Sequence, residues 1–173
     1  MLDEEVNKVL EKFAERVITE SRKNLSRNKI NASKDLYKSL DYDLKVMPNS
    51  IALSLLMEDY GKFIDKGVKG VKSSKKAPRS PYSYKVGTKN VKPPANKLLT
   101  WVKRKRGAYR KRNDKSTAFA VQNIIYNYGI KTTNFFTRPF ELAYKRLPDE
   151  LVEAYGLDLE NFIEFTLKED GNI

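Results

Sequence analysis

Asp41, Asp43 and Lys45 alternate along a strand-like stretch, and Asp43-Leu44-Lys45 matches the acid-x-lysine core of one nuclease superfamily. In that chemistry paired carboxylates hold a metal ion while the lysine steadies the attacking water. A period of two puts the three residues on one strand face, as the chemistry requires, but the solvated face of any hairpin carries the same pattern. Downstream, Lys103, Arg104, Lys105, Arg106, Arg110, Lys111 and Arg112 are accompanied by Trp101 and Tyr109. Such a run neutralises phosphates and offers stacking rings, and it equally suits an acidic protein partner. The chain has neither histidine nor cysteine. Ser-His-Asp and Cys-His catalysis, disulfides and thiolate metal sites are therefore excluded.

These residues must be positioned by a chain of 173 residues, the length of one domain, and 1–173 is expected to fold as one. Apolar residues at 40% and charged residues at 32% suit a globular body that keeps part of its length outside the core. The net charge of +12 is concentrated, because residues 60–115 hold nineteen Lys or Arg against Asp65 and Asp114 alone. Both flanks are weakly acidic. The opening Leu2-Asp-Glu-Glu5 has no basic or long apolar stretch, and no apolar run reaches membrane-spanning length. Neither a cleavable signal nor a membrane partner is expected.

Leu2, Val6, Val9, Leu10, Phe13, Val17 and Ile18 recur every three to four residues and predict an amphipathic helix to about residue 26. Asn31 or Ser33 is placed to cap a shorter helix carrying Leu36, Tyr37 and Leu40. Tyr42, Leu44 and Val46 then alternate with the charged residues, Pro48-Asn-Ser50 turns the chain, and Ile51, Leu53, Leu55 and Met57 return. The fold class is α+β, with this small antiparallel hairpin at about 41–57 packed on a long N-terminal helix and C-terminal helices.

Tyr60, Phe63 and Ile64 have the spacing of one helical turn, ended by Gly67. Residues 68–94 read as an extended basic, Pro-rich arm whose Lys69, Lys72, Lys75, Lys76, Arg79, Tyr82 and Tyr84 would contact partners. Tyr82 to Val86 has the makings of a short strand adding to the hairpin. Residues 95–112 read as a basic helix and loop, and a helix from about Ser116 to Tyr128 precedes Gly129 as its C′ residue. Phe135, Phe136, Pro139 and Phe140 form an apolar knot, and the last segment, Leu147 to Leu167, is one helix bent at Gly156 or two helices.

The order of these features resembles the neck or tail-completion family of tailed double-stranded DNA bacteriophages, whose small proteins join head to tail. The matching parts are Ala32-Ser-Lys-Asp-Leu-Tyr-Lys-Ser39, the hairpin, and Tyr60-Gly-Lys-Phe-Ile-Asp-Lys-Gly67. The last of these looks like the family's Tyr-x-x-Phe-(Val/Leu/Ile)-(Glu/Asp)-x-Gly signature, with Asp65 where Glu is more usual. The match continues through Trp101-Val-Lys-Arg-Lys105, Ala118-Phe-Ala-Val-Gln-Asn-Ile-Ile-Tyr126 and Gly129-Ile-Lys-Thr-Thr-Asn-Phe-Phe136 into Arg138-Pro-Phe140.

The resemblance implies a structural virion protein without catalytic, metal-binding or cofactor-binding residues, assembled in the bacterial host cytoplasm as a six- or twelve-fold homo-oligomeric ring. Its partners would be the adjoining portal or adaptor and tail proteins, with double-stranded DNA in the lumen. Tyr60, Phe63, Asp65, Gly67, Phe135, Phe136, Pro139 and Phe140 would fix the fold. The alternative is a nucleic-acid-binding module that uses 103–112, with nuclease activity a more distant third.

Overall fold

The three-to-four-residue apolar spacing near the N-terminus forms α1, Glu4–Arg27, with Glu4 and Glu5 at its positive end and Arg27 at its negative end. The structure, a computed structural model, describes residues 4–28, 34–48, 50–85, 92–104 and 114–170, without the side chains of 97, 104 and 165–170. The elements that follow are α2 (Asp35–Ser39), β1 (Asp41–Met47), β2 (Ser50–Leu56), α3 (Gly61–Lys66), α4 (Ala95–Arg104), α5 (Asp114–Tyr128), α6 (Thr137–Tyr144) and α7 (Leu147–Asp170). Among the described residues the fold is α+β with a two-stranded antiparallel sheet. Among the described residues, no helix is long and apolar enough to cross a membrane.

The elements gather into two compact units, and α1 contributes to both. The first unit comprises α1 up to Ser21, the hairpin, and the chain from Phe136 onward. Its hairpin pairs Tyr42 with Leu55, Leu44 with Leu53 and Val46 with Ile51, so the two alternating apolar sets share one face of the sheet. A lone ribbon is marginal in water, and here it gains a partner surface. Leu53 and Leu55 pack against buried Phe13 and Val17 of α1, Ala143 of α6 and Leu147 of α7. Phe13 meets Phe140 edge to face with centroids 5.7 Å apart. Phe136, Phe140 and Tyr144 stack along α6 at four-residue intervals.

Helix α7 runs through Gly156 as a single helix instead of dividing there. A single glycine inside a helix costs only about 1 kcal/mol, which the docking of the stripe from Leu147 to Asp158 readily offsets. That stripe is Leu147, Leu151, Ala154 and Asp158, and its fourth member is an acid that is only 2% exposed. The Asp158 carboxylate accepts the amides of Glu5 at 3.0 Å and Val6 at 3.1 Å. It therefore caps the first turn of α1 from a distant part of the chain.

The second unit holds α1 from Arg22, α2, and the chain from Met57 to Phe135. A five-residue helix cannot sustain itself, and α2 relies on Arg22. The guanidinium donates to Tyr37 O at 3.1 Å and Leu40 O at 2.7 Å and lies over the Tyr37 ring. The N-cap position of α2 is Lys34, in the left-handed region at φ 60° with no side-chain cap. It is therefore neither Asn31 nor Ser33, both of which lie outside the described residues.

Replacing Asp158 with Ala strands two first-turn amides of α1 and should lower stability by about 1–2 kcal/mol. Urea unfolding checks this as a lower midpoint with an unchanged slope.

Candidate functional site

The stretch Tyr60 to Gly67 folds as α3, with Tyr60 at its N-cap position and Gly67 ending it at φ 72°. A helix of six residues leaves most of its carbonyls without intrahelical donors. Here the chain after α5 supplies them. Thr133 Oγ1 donates to Ile64 O at 2.8 Å, and the amides of Thr133 and Asn134 donate to Asp65 O at 3.1 and 3.0 Å. Thr132 Oγ1 reaches Lys66 O at 2.8 Å, and Ser80 Oγ reaches Gly67 O at 2.7 Å. Val68 and Ile130 then exchange both backbone hydrogen bonds, at 3.0 and 2.8 Å. Four successive carbonyls are thus satisfied by residues 66 or more positions away, apart from Ser80.

This arrangement explains why a glycine stands at position 67. A Cβ at Gly67 would meet Ile130 O and Thr132 N at 2.7 Å, besides straining a positive φ. Gly129, at φ 73°, is the C′ residue of α5, as its position predicts, and its amide donates to Ile125 O at 2.8 Å. Asn134, at φ 49°, is a residue type that tolerates the left-handed region.

Several proposed site residues serve this module. Phe63 packs edge to face on Tyr82 with centroids 4.8 Å apart. Asp65 is buried, with its carboxylate 3.9 Å from Lys66 Nζ. Phe135 is fully buried in this unit, whereas Phe136, buried Pro139 and Phe140 belong to the other, so the aromatic knot is shared out. Tyr60 remains 40% exposed.

The first part of the arm, 68–85, is held on its own unit instead of extending from it. Val71 and Lys72 donate to Tyr126 O and Asn127 O at the end of α5, and Ala77 and Ser80 are buried. Tyr82 to Tyr84 does not join the hairpin. It pairs with Lys69, whose amide donates to Tyr82 O and whose carbonyl accepts from Tyr84, both at 2.9 Å. Small residues allow this close docking, and a recurrence of Gly, Ala and Ser at 67, 70, 77, 80 and 129 was its signal in the sequence. Lys72, Lys75, Lys76 and Arg79 stay exposed. Tyr84 lies beside Tyr126, with ring centroids 5.9 Å apart, and Lys92 Nζ stands 5.5 Å from the Tyr126 centroid.

Of the basic run, Lys103 is exposed on α4 and Arg104 ends that helix. The Arg104 side chain, and Lys105, Arg106, Arg110, Lys111 and Arg112, lie outside the described residues. On the hairpin, Lys45 Nζ pairs with Asp43 Oδ2 at 3.4 Å with both side chains well exposed, and Asp41 Oδ1 accepts the Tyr42 amide. Among the described residues no group of three acids is close enough to hold a metal ion. No protein-family model, curated protein or solved structure matches the chain.

Valine in place of Thr132 and Thr133 keeps the shape and removes both hydroxyl donors, and should cost about 2–3 kcal/mol by chemical denaturation. Burial raises the Tyr84 phenol above its ordinary value of about 10. The neutral phenol is therefore favoured in the folded chain, so stability is intact below the unfolded value and falls as pH rises beyond it. Tyr84→Phe should remove part of that alkaline loss, and tyrosinate absorbance should lose one late-ionising component. Tyr42, raised by desolvation and then by Glu11, Glu15 and Asp41, accounts for a separate part.

Proposed function

We propose that this chain is a structural virion protein, a subunit of a homo-oligomeric ring in the neck of a tailed bacteriophage that joins the portal or adaptor to the tail around the DNA passage. The observation that carries this reading is the union of two sequence motifs on which the resemblance depends. Tyr60 to Gly67 and Gly129 to Phe136 lie more than sixty residues apart in sequence and interlock through the α3 carbonyls. Their order in the chain is thus tied to one physical module, which strengthens the resemblance beyond a string of short matches.

The remaining surface suits a part whose partners are other proteins and nucleic acid. Val152, Tyr155 and Ile163 are apolar and at least half exposed, as expected of a chain that buries more surface on assembly. Exposed Lys75, Lys76, Arg79 and Lys103 would face DNA in the lumen or acidic surfaces of adjoining rings.

A second reading, a nucleic-acid-binding module outside any particle, is favoured by Tyr84, Tyr126 and Lys92, which combine ring faces with a cation. Immunogold labelling of particles from the host that produces this chain separates the two. Label at the head-tail junction is expected, and particles devoid of label would overturn the neck reading. Free chain that binds DNA with steep salt dependence, together with unlabelled particles, would establish the second.

A further inference from the structure

We propose that copies of this chain associate head to tail, with the acidic apolar face of α7 in one copy docking on the apolar end of α5, and the lysines that adjoin it, in the next. The inference rests on the ring reading and supplies an interface for it.

Helix α7 has two apolar stripes. One is the buried stripe from Leu147 to Asp158 already described. The other consists of Val152, Tyr155, Leu159 and Ile163, spaced by three, four and four residues and between 43% and 75% exposed. At roughly 100° per residue these four share one face, and Asp149, Glu153 and Glu160 form an exposed row along its edge. The helix as a whole carries eight acids against Lys168. Pairing α7 with α7 of a second copy would set like rows against each other, which disfavours an isologous contact.

The complementary chemistry lies in the same chain. Ile124 and Tyr128, one helical turn apart on α5, are 51% and 49% exposed. The Lys72 amide donates to Asn127 O at 2.9 Å, which holds the backbone of exposed Lys72 at the end of α5, and exposed Lys131 follows Tyr128 within three residues. Each chain therefore offers one anionic and one cationic apolar face. Two different faces that complement each other produce a heterologous contact, which propagates from copy to copy and closes when the rotation permits.

Two charge-reversed full-length chains test this, Glu153→Lys/Glu160→Lys and Lys72→Glu/Lys131→Glu, with circular dichroism to verify that each is folded. By analytical ultracentrifugation the natural chain should self-associate at low salt and dissociate as salt rises. Each variant alone should associate at least about tenfold more weakly. An equimolar mixture of the two should recover assembly, because each reversed face then meets its opposite. A natural chain that is monomeric at every concentration and salt overturns the inference. Oligomers that ignore both reversals overturn this interface and leave the ring standing. Rescue by mixing, with no label at the head-tail junction, retains the interface and removes the neck.

Discussion

The second unit depends on one constraint: the carbonyls at the end of α3 point away from any donor within their own helix and must be met from elsewhere in the chain. Thr132, Thr133 and Asn134 meet three of them and Ser80 meets the fourth. A buried carbonyl without a partner costs about 1–3 kcal/mol, so α3 cannot keep this position unless the segment after α5 is also in place. The requirement reaches outward. Gly67 and Gly129 must remain glycines for the two segments to approach, and the arm from Val68 to Tyr84 is fixed because its ends belong to the same network. A module built this way demands particular residues at its turns. That is why a few short motifs can mark it.

The first unit is stabilised by different means. Its core is side-chain packing, with Phe13, Val17, Phe140 and Leu147 among its members, and each such residue contributes about 1.5–3 kcal/mol when fully buried. The hairpin adds an apolar face and gains shelter in return. One polar device, the Asp158 carboxylate, ties α7 to the start of α1. What α7 leaves outward is apolar and acidic, whereas the residues around the end of α5 are apolar and basic. In the ring proposed above, these two surfaces would sort neighbours by charge.

Much of this architecture is legible in the sequence because it follows side-chain periodicity. The spacing of Val6 to Ile18 predicts α1, alternation from Asp41 to Leu55 predicts the hairpin, and Gly129 predicts the end of α5. The folded part of the arm has no such period. It is held by backbone hydrogen bonds and by small residues, so its charges and prolines suggest extension where the structure has close docking. Asp158 is hidden for a related reason. It interrupts an apolar stripe, and an acid there signals a buried partner only once the N-terminus of α1 is known to lie beside it. Gly156 misleads in the other direction, since one unfavourable residue is a small term in a long helix. At the α3 site, the residue types that matter are visible, but the threonines at 132 and 133 carry no pattern that assigns them to carbonyls so distant in the chain.

Amide hydrogen exchange measured residue by residue tests the α3 network most directly. The amides of Val68, Ile130, Thr132, Thr133 and Asn134 should exchange slowly and with a common opening free energy, together with those in the middle of α5. Exchange of Thr133 and Asn134 at the rate of exposed loop amides, while α5 stays protected, would show that the segment after α5 does not hold α3 and would contradict the account.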